Sequence, residues 1–215
     1  MQNPHLGPSS APSSDIAFTP SVKAVQARRK SRDAYAKLEA GGGFRTAIDE
    51  DLVLFLGGVD TAYLATANAA GQPYAQHRGG PKGFIRVVDA HTLGIADFAG
   101  NRQYISTGNL AENDRAFLFL MDYAHRRRIK LWGRARVVEG DEALTARLMP
   151  EGYRARPEQV ILFTLEAWDV NCPQHIPQKF DAADVAAVLA DRDTRIAELE
   201  AENAALRHRL ERIIP

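Results

Sequence analysis

The 215-residue chain is 45% hydrophobic and 25% charged, enough apolar material for one real core with appendages and too short for two full domains. Its 27 lysines and arginines balance 27 aspartates and glutamates, so it lacks the positive field that holds a nucleic-acid backbone or an anionic membrane, and neither partner is expected. The single cysteine, Cys172, excludes an internal disulfide and a multi-cysteine metal site, and it suits a reducing compartment.

Residues 1–15 are rich in proline, serine and small polar types and read as a disordered lead-in. The opening Met1, Gln2, Asn3, Pro4, His5 has neither the basic nor the apolar region of a secretory leader. The best apolar run, 52–59, contains two glycines and falls well short of the roughly 20 residues of a membrane span. A soluble, cytoplasmic protein is therefore expected. Residues 16–60 read as a helical segment. Thr19 before Pro20 is a good cap and first-turn pair, residues 22–40 favour helix, and Gly41, Gly42 and Gly43 end the run. Arg28, Arg29, Lys30 and Arg32 make this helix basic, as a solvated face or a ligand-facing one. A second short helix is expected at 49–56.

From Ala62 the period becomes that of strands. Residues 62–68 and 73–78 form a predicted hairpin around a glycine turn, and 84–88 and 93–96 flank another. Residues 116–121 are a continuous apolar strand. In 129–137, Ile129, Leu131, Gly133, Ala135 and Val137 alternate with Arg128, Lys130, Trp132, Arg134 and Arg136, a strict period of two with one core face and one polar face. A short helix near 141–149 precedes a last strand at 160–168. At least six antiparallel strands at hairpin spacing, with few helices between them, argue for a small barrel over 61–180 and against a doubly wound sheet.

The tail, 181–215, is a different object. Ile196, Leu199, Asn203, Leu206, Leu210 and Ile213 step by three and four alternately, as a and d positions of a heptad. Arg195 and Glu202 then occupy g, and Glu200 and Arg207 occupy e. A parallel homodimer would pair Arg195 with Glu200 and Glu202 with Arg207 across the seam, with Asn203 fixing two strands in register. Three heptads are marginal alone, so the coil would supplement a dimer made elsewhere. The alternative is one amphipathic helix packed on its own domain, because Arg192 interrupts the seam a heptad earlier.

Two segments are dense in glycine and in donors to anions. One runs Gln76, His77, Arg78, Gly79, Gly80, Pro81, Lys82, Gly83, and the other Asp97, Phe98, Ala99, Gly100, Asn101, Arg102, Gln103. A guanidinium fork matches phosphate oxygens, and each charge-assisted bond contributes about 1.5–3 kcal/mol. Two arginines, an asparagine and helix amides would together supply most of the roughly 8 kcal/mol of a micromolar ligand. The glycines would let backbone approach a flat ring. The segment Trp168, Asp169, Val170, Asn171, Cys172, Pro173, Gln174, His175 reads equally as a pocket rim or as a proline-braced connection to the tail. His77, His91 and His175 share no ligand spacing, so no metal is expected.

In order and context these segments resemble the pyridoxamine 5′-phosphate oxidase-like FMN-binding split barrel, most clearly over 62–138. The run 99–103 stands where that family carries a phosphate clamp, and Arg127, Arg128, Ile129, Lys130 before Gly133 resemble a strand that touches the flavin. The phrases QHRGGPKGF, ADFAGNRQYISTGNL and AWDVNCPQHIPQ look like a sub-group of flavin-nucleotide-binding proteins of undefined substrate. The resemblance implies a mainly β (α+β) fold, a six-stranded antiparallel split β-barrel with flanking helices, to which the heptad pattern adds the C-terminal coil. It implies FMN between two protomers of a homodimer and a small-molecule substrate. Asn101, Arg102 and Gln103 would hold the phosphate, with Gln76, His77, Arg78, Gly79 and Gly80 along the ring edge. Lys82 would lie near the phosphate or ring, Arg128 would reach the ring, and Trp168 and Asn171 are further candidate contacts. Asn101, Gln103 and Arg128 replace serine, lysine and glutamine of the family's best-known enzyme, so the likeness implies cofactor rather than that enzyme's substrate. A flavin-dependent oxidoreductase is expected. A non-catalytic flavin carrier or sensor, and deazaflavin or haem in place of FMN, remain open alternatives.

Overall fold

The computed structural model describes residues 11–213, so most of the expected lead-in lies outside the described residues. Order begins sooner than composition suggests. Ser13–Ile16 forms a 3-10 turn with Ser14 buried, and the Ser13 hydroxyl donates to the Gly42 carbonyl at 3.0 Å. The chain divides into two compact units: residues up to 174 without 123–126, and 123–126 with the segment from 175 onward. No helix among the described residues is long and apolar enough to cross a membrane.

The helix expected over 22–40 is in fact two, α1 (Pro20–Arg28) and α2 (Arg32–Ala40), broken where Lys30 takes a left-handed φ of 62°. Tertiary contacts explain the break. Folding α2 back sets Tyr35 edge-on to Phe18 (5.1 Å), which in turn meets Phe44 (5.2 Å), and Phe44 stacks on Trp132 at 5.1 Å. The same turn lets Arg32 and Lys23 share one carboxylate, that of Glu39, with Lys23 Nζ at 3.1 Å. A straight helix would leave these aromatic rings in water.

The Arg32 hydrogen bond, with help from Lys23, holds the Glu39 carboxyl below its ordinary value of 4.5. A depressed acid stabilises the fold above its unfolded pKa, and that contribution fades as pH falls through the folded value. The Tm difference between wild type and Glu39→Gln is therefore expected to be largest near neutrality and to shrink below about pH 4.5. A thermal-denaturation series with a constant difference down to acid pH would contradict this.

Seven strands, one more than expected, form a single antiparallel sheet in the order β2-β1-β5-β6-β7-β4-β3. They are β1 (Thr61–Ala67), β2 (Pro73–Gly79), β3 (Ile85–Val87), β4 (Thr92–Phe98), β5 (Arg115–Asp122), β6 (Arg127–Val138) and β7 (Pro157–Val170). The strand read at 84–88 shortens to β3, a three-residue edge strand paired with β4, and it brings the count to seven. The inward residues Leu64, Leu118, Leu120, Leu131 and Phe163 meet Leu52, Phe55 and Leu56 of α3 (Glu50–Gly58), whose first turn is capped by Asp49 accepting from the Leu52 N–H at 3.0 Å. Gly133 marks a shift in the β6–β7 register, where a Cβ would lie 2.1 Å from the Thr164 carbonyl oxygen, so only glycine lets the two strands approach.

Two helices remain in this unit, α4 (Ile105–Glu112) and α5 (Glu142–Leu148). The second unit holds α6 (Ala182–Glu211), preceded by a segment in which the Gln178 side chain donates to the Ala124 carbonyl at 2.8 Å.

Candidate functional site

In the sheet order β2 is first and β4 sixth, yet Arg78 of β2 is hydrogen-bonded and ion-paired to Asp97 of β4. The sheet therefore curls until these strands face each other without pairing, and the split between them is bridged by side chains. α4 laces the same split. Ser106 Oγ donates to Gln76 Oε1 at 2.9 Å on β2, and Asn109 Nδ2 to Thr66 Oγ1 at 3.0 Å on β1. On the far side Gln159 Nε2 donates to Asp97 Oδ2 at 2.8 Å and to Thr107 Oγ1 at 3.0 Å.

A cavity of about 300 Å³ opens at this split, walled by Gln76 and Arg78, by Asp97 and Phe98, by the loop through Gly100, Asn101, Arg102 and Tyr104, and by Glu158. The two donor-rich segments, far apart in the chain, thus meet in one place. Alternation along β2 sends Gln76 and Arg78 inward, and Gln76 also accepts from Arg78 Nη2 at 2.9 Å. The Nε of Arg78 is buried without a hydrogen-bond partner. Such an orphan is uncommon in a folded protein and points to a ligand or water at that spot.

The loop itself is strained. Arg102 and Tyr104 both adopt left-handed backbone, with φ of 57° and 51°, which costs about 1–3 kcal/mol per residue. Asn101 Oδ1 accepts from the Gln103 N–H at 3.3 Å, bracing the turn. Tyr104 caps α4 without a side-chain hydrogen bond, so the amides of the first turn point at the cavity side with no side-chain acceptor. Arg102 is 61% exposed and its Nε lies 3.4 Å from Glu158 Oε1, a loose surface pair of little worth. Tyr104 also donates its hydroxyl to Glu158, at 3.4 Å. Arg78 and Arg102 against Asp97 and Glu158 leave the walls formally neutral. Because Asp97 is held on both oxygens, by Arg78 and by Gln159, Glu158 is the carboxylate that an incoming anion would displace.

Of the residues expected at a site, Gln76, Arg78, Asn101 and Arg102 line this cavity. Gln103 and Lys82 do not, and His77 projects from the opposite face of β2, its ring 5.7 Å from Tyr63. Gly79 and Gly80 serve local packing rather than a flat ring: a Cβ on Gly80 would lie 2.7 Å from Phe84 Cβ, and one on Gly79 2.8 Å from the His77 ring. Trp168 is core, not rim. It is 1% exposed, donates its indole N–H to the Ala47 carbonyl at 2.9 Å and carries the Arg45 guanidinium 4.6 Å from its ring centre. Arg128 and Asn171 join each other, the Asn171 N–H donating to the Arg128 carbonyl at 3.0 Å. They sit at the far end of β7 from Glu158, and neither lines this cavity. Asp97, Ser106, Thr107, Glu158 and Gln159 were not expected. Asp97 opens the second donor-rich stretch and Ser106 and Thr107 follow it in α4, whereas nothing local marks Glu158 and Gln159 at the start of an apolar strand.

A curled antiparallel sheet with an arginine-bearing cavity and an uncapped helix at its split defines a protein of the split-barrel class. Residues 48–172, more than half of the chain, match the family model described as pyridoxamine 5′-phosphate oxidase. The chain belongs to that family. Similar solved structures include a HupZ protein of Group A Streptococcus (19% identity, TM-score 0.47, covering 58% of this chain and 99% of that one). A putative pyridoxamine 5′-phosphate oxidase from Lactobacillus delbrueckii is also similar (20%, TM-score 0.43, 58% and 99%). So is an FMN-binding protein from Syntrophomonas wolfei (11%, TM-score 0.44, 73% and 98%). No curated protein matches the sequence.

Proposed function

We propose that the protein binds FMN with its phosphate in the cavity at the split and acts as a flavin-dependent oxidoreductase on a small-molecule substrate. The observation that carries this reading is the buried, unpartnered Nε of Arg78 beside a strained loop that presents Arg102 and the uncapped start of α4. The donor set fits a phosphate monoester: two guanidinium groups, the Asn101 amide and helix amides. Bound there, the flavin supplies the electron transfer itself, and the protein supplies position and field.

About 300 Å³ lies at the small end of ligand pockets, enough for the phosphate end and not for the whole cofactor. The ring then needs a second wall, which a homodimer provides. Arg128 does not line this cavity, and in this reading it meets the ring at that wall rather than the phosphate.

Arg102→Ala is expected to weaken FMN binding at least tenfold, about 1.4 kcal/mol, with Tm nearly unchanged because the side chain is exposed. Glu158→Gln should act in the opposite direction and tighten FMN, since it removes the carboxylate that competes for Arg102. Fluorescence titration measures both. Unchanged affinity in the first variant refutes the phosphate assignment. Turnover with a reduced nicotinamide cofactor separates an enzyme from a carrier that binds FMN and does nothing with it.

A further inference from the structure

The helix α6 (Ala182–Glu211) has thirty residues, a rod about 45 Å long, and none of them is buried. Its large apolar side chains are bare: Leu189 is 54% exposed, Ile196 53%, Leu206 55% and Leu210 57%. A continuous apolar stripe of this length on a soluble surface marks an interaction face. The heptad that runs from Ile196 extends upstream to Leu189, so the seam passes through Leu189, Ile196, Asn203 and Leu210 at a, with Leu199 and Leu206 at d. An open hollow on this face, about 470 Å³, is lined by Ile196, Leu199 and Asn203 with Glu200 and Arg207 beside them, the arrangement that receives a knob from a facing helix.

We infer that α6 pairs with α6 of a second copy of this chain, parallel and in register, as a two-stranded coiled coil. Charge selects that occupant. In the parallel pair, Arg195 at g meets the partner's Glu200 at e, and Glu202 meets the partner's Arg207, opposite signs on both sides of the seam. Asn203 selects the orientation. In register it faces the partner's Asn203, and the two amides bond each other inside the apolar seam. An antiparallel pair sets a against d, where Asn203 would face leucine or isoleucine and its amide would be stranded. The departure at Arg192 is accommodated by the same geometry, because a d side chain packs beside e of the facing helix, here the partner's Asp193.

The test uses the full chain with Cys172→Ser, carrying one new cysteine at a time: Ile196→Cys, Leu210→Cys, or Ala201→Cys at f on the outer face. A disulfide needs Cα atoms within about 7 Å, which a parallel in-register pair provides at both seam positions. The expected result under mild oxidation is interchain disulfide for Ile196→Cys and for Leu210→Cys, and little for Ala201→Cys. The two seam sites lie fourteen residues apart, about 21 Å, so an antiparallel pair joins at most one of them to its own copy. Crosslinking at only one seam site, at neither, or equally at Ala201→Cys overturns the inference. The result is read with and without added FMN, so failure here leaves the reading of the cavity standing.

Discussion

Arg78→Leu is expected to lower the unfolding free energy by about 3–5 kcal/mol, because it strands the Asp97 carboxylate across the split of the barrel. The side chains of the pair are only 13% and 11% exposed, so water does little to replace the lost guanidinium. Gln159 remains as a donor to Asp97, and Gln76 loses one of its two donors. The loss should be visible as a fall in the urea midpoint with little change in slope, since the surface exposed on unfolding is nearly the same. Removing both charges in Arg78→Leu with Asp97→Leu should recover much of the stability, because an apolar pair of similar volume carries no desolvation penalty. FMN affinity should not return with it, since the buried donor is gone. A single variant that loses less than about 1 kcal/mol would show that the split is not held by this pair.

Trp168→Ala should be at least as damaging, about 3–5 kcal/mol, through the cavity it opens among Phe163, Leu131 and α3 and through the unmet Ala47 carbonyl. Trp168→Phe keeps most of the packing and loses only the indole hydrogen bond and some area, so it should remain folded and bind FMN with unchanged affinity. That pair of results separates a core residue from a pocket rim. A stable Trp168→Phe protein with weakened FMN binding would return this residue to the site.

Local patterns carry most of the strand boundaries. Alternation in Arg127–Val138 places Ile129, Leu131 and Ala135 inward as expected, because each side chain answers only to which face of its strand is wet. Helix boundaries near Pro20, Asp49 and Asp141 were legible for a similar reason, since caps act within one turn. The break between α1 and α2 was not, because no glycine or proline signals it. It is made by Phe44, Trp132 and Glu39, which come from elsewhere in the chain.

The donor-rich half of the candidate site was readable from Arg102 and Asn101, because an arginine two residues after Gly100 and just before a helix presents its donors through local backbone. Its acidic half was not. Glu158 reaches the cavity, and Gln159 reaches Asp97 behind it, only because β7 pairs with β4. Trp168 was misjudged for the same reason, since a residue's chemistry is local while its burial is set by the whole register of the sheet. The sequence by itself thus determined the strands, the family resemblance, the donors on one loop and the heptad of the tail. Only the tertiary structure decided which strands face each other across the split, since that depends on how far seven twisted strands curl before Arg78 meets Asp97.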